Sequence, residues 1–223
     1  MRKKTYDTLE VNEIFYSFQG ESTYMGRTTL FIRLSECNLR CKTCDTKYAF
    51  NTNKKMNTEE IFRIIKQHNS KYVCITGGEP LMQEKALIKL LQQIVKNKNV
   101  VSVETNGSKL INKLPLKVKR IIDVKTPSSG HEKSFKTENL KYLNNEDEIK
   151  FVISDKKDFI FAETFIRKYK IEKKVKAILM SPNLSKKGFA NKLIKWMLIS
   201  NHNYVFQPQL HKLIKERPIY ILK

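Results

Sequence analysis

The chain has 223 residues, 40% of them hydrophobic and 29% charged, with a formal net charge of +21 at pH 7. That length suits a single domain with a sizeable core, and the composition excludes disordered, collagenous and disulfide-stapled classes. No apolar run approaches a membrane span, and the basic start Met1-Arg2-Lys3-Lys4 leads into no apolar signal core, so a cytoplasmic location is expected. The charge invites a nucleic-acid reading. However, 35 of the 43 basic residues are lysines scattered along the chain, and arginine is the usual choice for bidentate phosphate and base contacts. A solvated lysine surface is the simpler account, and nucleic acid is not expected as a partner.

In chain order, Glu10 to Phe18 alternates apolar and polar residues and predicts a first strand, running into Gln19-Gly20-Glu21. Thr29 to Ser35 predicts a second strand, with Arg33 interrupting its apolar run. Asn57-Thr58-Glu59-Glu60 reads as a helix start, with the helix running to about Gln67. Tyr72 to Thr76 predicts a buried strand containing Cys74, which is expected to behave as a small hydrophobe. A helix from Pro80 to about Lys96 follows, with Leu87, Leu90, Leu91, Ile94 and Val95 on one face. Further strands are expected at Val100 to Glu104, Arg120 to Val124, Glu148 to Ile153, Lys176 to Met180 and Tyr204 to Gln207. Helices are expected from Asp155 or Lys156 to about Tyr169 and from Leu184 to Ser200.

Strands alternating with helices indicate parallel βαβ units. About six such units predict an α/β fold of the incomplete (β/α)6 type, an open partial barrel forming one domain over residues 1–223. In such sheets the ligand site lies at the carboxyl ends of the strands. That rule places Gln19-Gly20-Glu21, the loop after the second strand, Gly77-Gly78-Glu79, Glu104-Thr105-Asn106, Lys125 to Ser129, Ser181-Pro182-Asn183 and Gln207-Pro208-Gln209 on one rim.

The loop after the second strand carries the chemistry. Cys37, Cys41 and Cys44 are spaced C-x3-C-x2-C. Cysteine thiolates are the usual ligands of iron–sulfur clusters, most of which use four. Three would leave one iron open to a substrate or cofactor, as an open zinc position is. A zinc knuckle is disfavoured because no second Cys/His pair follows at finger-like spacing.

This cysteine motif, followed about thirty residues later by Thr76-Gly77-Gly78-Glu79-Pro80, resembles the cluster and GGEP motifs of radical S-adenosylmethionine (SAM) enzymes. Within them the chain resembles the 7-carboxy-7-deazaguanine synthase family. The likeness rests on Glu13 to Glu21, Arg33, Asp45-Thr46, Asp123 to Ser129, Ser181-Pro182 and Gln207 to Lys212. The resemblance implies that Cys37, Cys41 and Cys44 hold a [4Fe-4S] cluster. It implies that Gly78, Glu79, Asp123, Val124, Lys125, Ser181 and Asn183 bind SAM. Phe18, Gln19, Gly20, Arg33, Thr76 and His211 would surround the substrate, with Glu104 a further polar contact, and Thr46 would be a ligand of Mg2+.

The implied reaction is a lyase step in 7-deazapurine (queuosine-type) biosynthesis. It converts 6-carboxy-5,6,7,8-tetrahydropterin to 7-carboxy-7-deazaguanine with loss of ammonia, begun by a 5′-deoxyadenosyl radical from SAM. The cofactors carry that chemistry and the protein positions them. An electron donor such as flavodoxin or ferredoxin, and a homodimer, are implied likewise. A radical SAM activating enzyme that generates a glycyl radical on a partner protein is the alternative. The tail beyond His211 is given no role; Arg217 within it is read as solvated, and His202 as a surface residue.

Overall fold

The computed structural model describes residues 7–200, 202–214 and 218–223; the Met1-Arg2-Lys3-Lys4 segment and Arg217 lie outside them. The strands are β1 (Thr8–Phe18), β2 (Thr28–Leu34), β3 (Lys54–Asn57), β4 (Tyr72–Gly77), β5 (Val100–Thr105) and β6 (Lys119–Asp123). They continue with β7 (Glu148–Ile153), β8 (Ala177–Pro182), β9 (Val205–Phe206) and β10 (Ile219–Leu222). Together they form one sheet in the order β10-β1-β2-β4-β5-β6-β7-β8-β9, with β3 paired to β1 off that path. From β2 to β9 every neighbouring pair is parallel, and the two edges do not join. This is the open α/β partial barrel expected from the sequence.

Helices α1 (Thr58–His68), α2 (Glu84–Lys96), α3 (Lys156–Tyr169) and α4 (Phe189–Ser200) connect successive strands, and a single turn, α5 (Leu210–Leu213), follows β9. Among the described residues no helix is long and apolar enough to cross a membrane. Local chemistry sets the helix starts. Asn57 caps α1 by accepting from the Glu59 amide, and Asp155 caps α3 from the Asp158 amide. The helix expected from Pro80 begins as a 3-10 turn, Pro80–Gln83. There the Glu79 carboxylate takes the Leu81 amide, while the Gln83 side chain bonds both backbone groups of Glu10. The helix expected from Leu184 begins five residues later. Asn183 first accepts from the amide and hydroxyl of Ser185, and Gly188 turns the chain at φ +71°.

Two strands lay outside the expectation, β3 and β10. Both pair antiparallel with β1, and β10 is built from the tail that the sequence left without a role. The first pair also departs from the parallel scheme. Nine residues separate β1 from β2, too few for a crossover, so the two run antiparallel. Gln19-Gly20-Glu21 therefore leaves β1 at the end of the sheet opposite the Cys37–Cys44 loop, a correction to the single-rim placement.

Alternation along the strands divides the sheet into two faces. Leu30, Ile32, Val73, Ile75, Val101, Val103, Ile122, Ile149 and Phe151 point one way and join Ile61, Leu87, Leu90 and Phe159 of the helices in the main core. The opposite, concave face carries Arg33, Thr76, Glu104, Asp123 and Lys150. Ile32 has no exposed surface, so Ile32→Ala should lower stability by about 2–5 kcal/mol in urea melts, whereas Ile199→Ala, on a residue 82% exposed, should change it by less than about 0.5 kcal/mol.

Candidate active site

The concave face encloses a cavity of about 530 Å³, within the range of small-molecule sites. Its roof is the Cys37–Cys44 loop. That loop is fixed by an unusually close backbone approach. The Gly78 amide donates to Leu34 O at 3.1 Å and the Glu79 amide to Glu36 O at 2.7 Å. A side chain at Gly77 or Gly78 would overlap the carbonyls of Leu34 and Glu36, so only glycine lets β4 press against the start of the loop. The Glu79 carboxylate then accepts from Leu81 N at 3.0 Å, Thr105 Oγ1 at 2.8 Å and Asn106 N at 2.7 Å. Asn106 in turn bonds Asn38 at 3.3 Å. The far side of the loop is tied down by Lys42 N to Ser129 O at 3.0 Å and Arg40 N to His131 Nε2 at 3.1 Å.

Cys37, Cys41 and Cys44 are free, half-buried thiols facing the cavity, whereas Cys74 is fully buried beneath it with Phe15 and Phe31. Burial pushes the Cys37 and Cys41 thiols up, with Lys125 opposing the rise at both; loading iron would therefore release protons. Among the described residues no three Cys, His, Asp or Glu side chains converge on one metal-ion position. A cluster that spreads its thiolates over separate irons does not need them to. The donor set fits an iron–sulfur cluster. For SAM the fit rests on Asp123, whose Oδ1 is buried without a hydrogen-bond partner and belongs to a residue of the cavity wall. A ligand hydroxyl or ammonium would supply the missing donor.

The walls are charged and nearly balanced. Asp123 Oδ2 pairs with Lys125 at 3.1 Å and Lys150 at 3.2 Å. Burial alone would raise the Asp123 carboxyl, and these two ammonium groups hold it below the usual range. Arg33 bonds Glu13 through Nε at 2.7 Å, with Phe15 and Tyr48 stacked about it. Its terminal nitrogens make no hydrogen bond among the described residues. Tyr48 also donates to Glu13, and burial pushes its hydroxyl up to about 12. Glu104 makes no ion pair among the described residues. It accepts from Thr76 at 2.9 Å and Gln19 at 3.4 Å, and burial followed by the nearby Glu21 raises its carboxyl.

The floor is the β1–β2 loop. Glu21 meets Lys150 and takes Gln209 Nε2 at 2.6 Å, Gly20 O accepts from Leu210 N at 2.9 Å, and Ser22 exchanges two bonds with Gln207. These contacts tie the end of β1 to the segment after β9, closing the seam of the open barrel. Gly20 leaves room for His211, whose Nδ1 a Cβ would overlap; burial lowers the His211 imidazole, keeping it neutral at pH 7. On the roof side Lys212 pairs with Asp45 at 2.7 Å, beside Thr46, whose hydroxyl lies 3.8 Å from Cys44 Sγ.

The cavity thus gathers Cys37, Cys41, Cys44, Thr46, Gly78, Asp123, Lys125 and Asn183 with Phe18, Gln19, Gly20, Arg33, Thr76 and His211. Three expected residues stand behind its wall. Glu79 and Val124 have no exposed surface, and the Ser181 hydroxyl is spent on Gln207 O at 2.8 Å. Lys150 was not singled out in the sequence, whereas Glu13, Glu21 and Lys212 lay within the motifs without an assigned site role. For Lys150 a signal was there: a lysine in the middle of the otherwise apolar strand EIKFVI.

Comparison with known proteins places this arrangement. Residues 32–131 match the radical SAM superfamily. The chain is 40% identical over 206 residues to the 7-carboxy-7-deazaguanine synthase of Koribacter versatilis, covering 91% of each. The chain belongs to the 7-carboxy-7-deazaguanine synthase family. A second synthase, from Thermoplasma acidophilum, is 42% identical over 161 residues, 71% of this chain and 77% of that one. The crystal structure of QueE from Escherichia coli superposes with a TM-score of 0.76 at 22% identity, covering 92% of this chain and 95% of that one, which confirms the fold. As a radical SAM member, this synthase-family chain is an enzyme that uses a [4Fe-4S] cluster and SAM.

Gly78→Ala should leave the helices intact by circular dichroism yet abolish the cluster absorption after anaerobic reconstitution, because the added methyl displaces the Glu36–Cys37 backbone; Cys74→Ala should reconstitute as the wild type does. The depressed Asp123 pKa contributes stability above the unfolded value of about 4, lost as pH falls through the folded value. The stability advantage of the wild type over Asp123→Asn, measured by urea melts, should be full at pH 7 and shrink below about pH 4.

Proposed function

We propose that this chain, acting as one catalytic domain, converts 6-carboxy-5,6,7,8-tetrahydropterin to 7-carboxy-7-deazaguanine with loss of ammonia. The observation that carries this reading is a single cavity joining the three-cysteine roof to an unpaired carboxylate and an unpaired guanidinium edge. When bound, the cluster and SAM supply the one-electron chemistry. The chain's own groups hold and orient. Glu104, with no cation against it, offers acceptors for the N–H edge of a pterin. Arg33, anchored through Nε by Glu13, offers its terminal nitrogens to a carbonyl or carboxylate. Neutral His211 and Gln19 complete the polar wall, and Phe18 the apolar one.

On the cofactor side, Asp123, Lys125, Gly78 and Asn183 face the space that SAM would take, while Glu79 acts from behind by fixing the loop. Thr46 would give its hydroxyl to Mg2+ beside the substrate carboxylate, the ion keeping waters as it commonly does. The paired charges of the walls hold one another in fixed orientations toward the cavity. A reductant such as flavodoxin or ferredoxin, and a homodimer, belong to this proposal.

The test is anaerobic turnover of reconstituted protein with SAM, Mg2+, a reductant and 6-carboxytetrahydropterin, followed by mass spectrometry. Formation of 7-carboxy-7-deazaguanine is expected, lost in Cys41→Ala. Arg33→Met should lower kcat/KM by about 10- to 100-fold, the value of one or two hydrogen bonds to a charge. Thr46→Val should raise the Mg2+ concentration needed for half-maximal rate. SAM cleavage without the deazaguanine product would overturn the substrate assignment.

A further inference from the structure

We propose that Lys150 is a positioning residue that couples the cofactor wall of the cavity to its substrate floor, so that SAM and the pterin raise each other's affinity. The inference rests on the function proposed above. Lys150 sits in the middle of β7 with its side chain only 8% exposed, and its ammonium bonds Glu21 and, at 3.2 Å, Asp123 Oδ2. The two carboxylates come from different walls. Asp123 ends β6, and Glu21 lies in the loop that closes the floor.

Each carboxylate also has a partner of its own. Lys125 holds Asp123 at 3.1 Å, and Gln209 holds Glu21 at 2.6 Å. Neither depends on Lys150 alone for its place. What Lys150 adds is the link between them. That link reaches further at both ends. Asp123 Oδ1 is buried and lacks a donor, so a donor on the cofactor would complete that carboxylate and fix its orientation. At the other end the Glu21 amide donates to Gln19 Oε1 at 3.1 Å, and Gln19 Nε2 lies 3.4 Å from Glu104. The last distance is long for a hydrogen bond, leaving slack that ordering the chain can take up. Asp123, Lys150, Glu21, Gln19 and Glu104 thus run unbroken from the cofactor wall to the substrate-facing carboxylate, in surroundings where burial strengthens each contact. A continuous network is a candidate for coupling, and linkage measures it.

The experiment uses reconstituted enzyme without reductant, so that nothing turns over. SAM affinity is measured by anaerobic equilibrium dialysis with and without saturating 6-carboxytetrahydropterin, and the reverse. In the wild type each ligand should tighten the other by the same factor, about fivefold or more. Lys150→Met should bring that factor to about one with the cluster spectrum unchanged, and Lys150→Arg, which keeps a donor for both carboxylates, should restore part of it. Should Lys150→Met fail to load its cluster, Glu21→Met breaks the same link at the floor and should lose the coupling while binding SAM alone within about twofold of wild type. Absence of coupling in the wild type, or undiminished coupling in the variants, would overturn the inference. Wild-type enzyme that bound no SAM would instead sink the function on which it rests.

Discussion

The site depends on one backbone contact, the approach of Gly77-Gly78-Glu79 to Leu34–Cys37. Two motifs about forty residues apart become a single structural unit because β4 lies beside β2 and its end has no side chains to hold the loop away. The fully buried Glu79 would be costly if left without donors. Three donors from two segments, Leu81 and Thr105-Asn106, reach it, and each hydrogen bond to a charge contributes on the order of 1.5–3 kcal/mol. The roof that carries the cysteines is therefore set by the sheet, and little of its placement is left to the loop's own sequence.

The second constraint is the division of the sheet into two faces. Parallel sheets are usually apolar on both, because helices cover both. Here helices and main core lie on one face and the other is open to the cavity, so alternate residues of β2, β4, β5, β6 and β7 are free to be polar. Their charges largely cancel. Lys150 and Lys125 answer Asp123, Lys150 also answers Glu21, and Arg33 answers Glu13. Pairing of this kind offsets the desolvation of each charge without making the network a source of stability. The net charge of +21 consequently lies elsewhere on the molecule and says little about the site.

Most of the fold was legible because strands and helices differ in period, and the βαβ alternation is long enough to show it. The cysteine loop and the glycine pair were legible because each residue type there answers a local demand. Less legible was whatever depends on partners distant in sequence. Nothing in the periodicity of the tail PIYILK alone says that residues 219–222 will pair with β1, since an edge strand needs a vacant edge to join. The direction of β1 followed from the shortness of its connection to β2, a signal present in the sequence but overridden by the expectation of parallel units. Glu79 shows the limit in another form. The motif marks it as important, but only the fold shows that its carboxylate bonds the protein's own backbone.

An incomplete barrel has an open seam, and how that seam is closed decides what can enter. Here the β1–β2 loop crosses it through Glu21, Ser22 and Gly20, held by Gln207, Gln209 and Leu210, so the floor is built of protein hydrogen bonds. The tail adds a wall, with Pro218 and Tyr220 lining the cavity beside Phe15. On the roof side the Lys212–Asp45 pair spans from α5 to the cysteine loop. An enzyme acting on a glycine within a partner protein needs a passage for an extended segment and an apposed surface. A cavity of about 530 Å³ closed at its floor, with matched charges on its walls, suits a compact carboxylated heterocycle beside a nucleoside-sized cofactor. Closure of the seam by these bonds favours the small molecule over the protein segment.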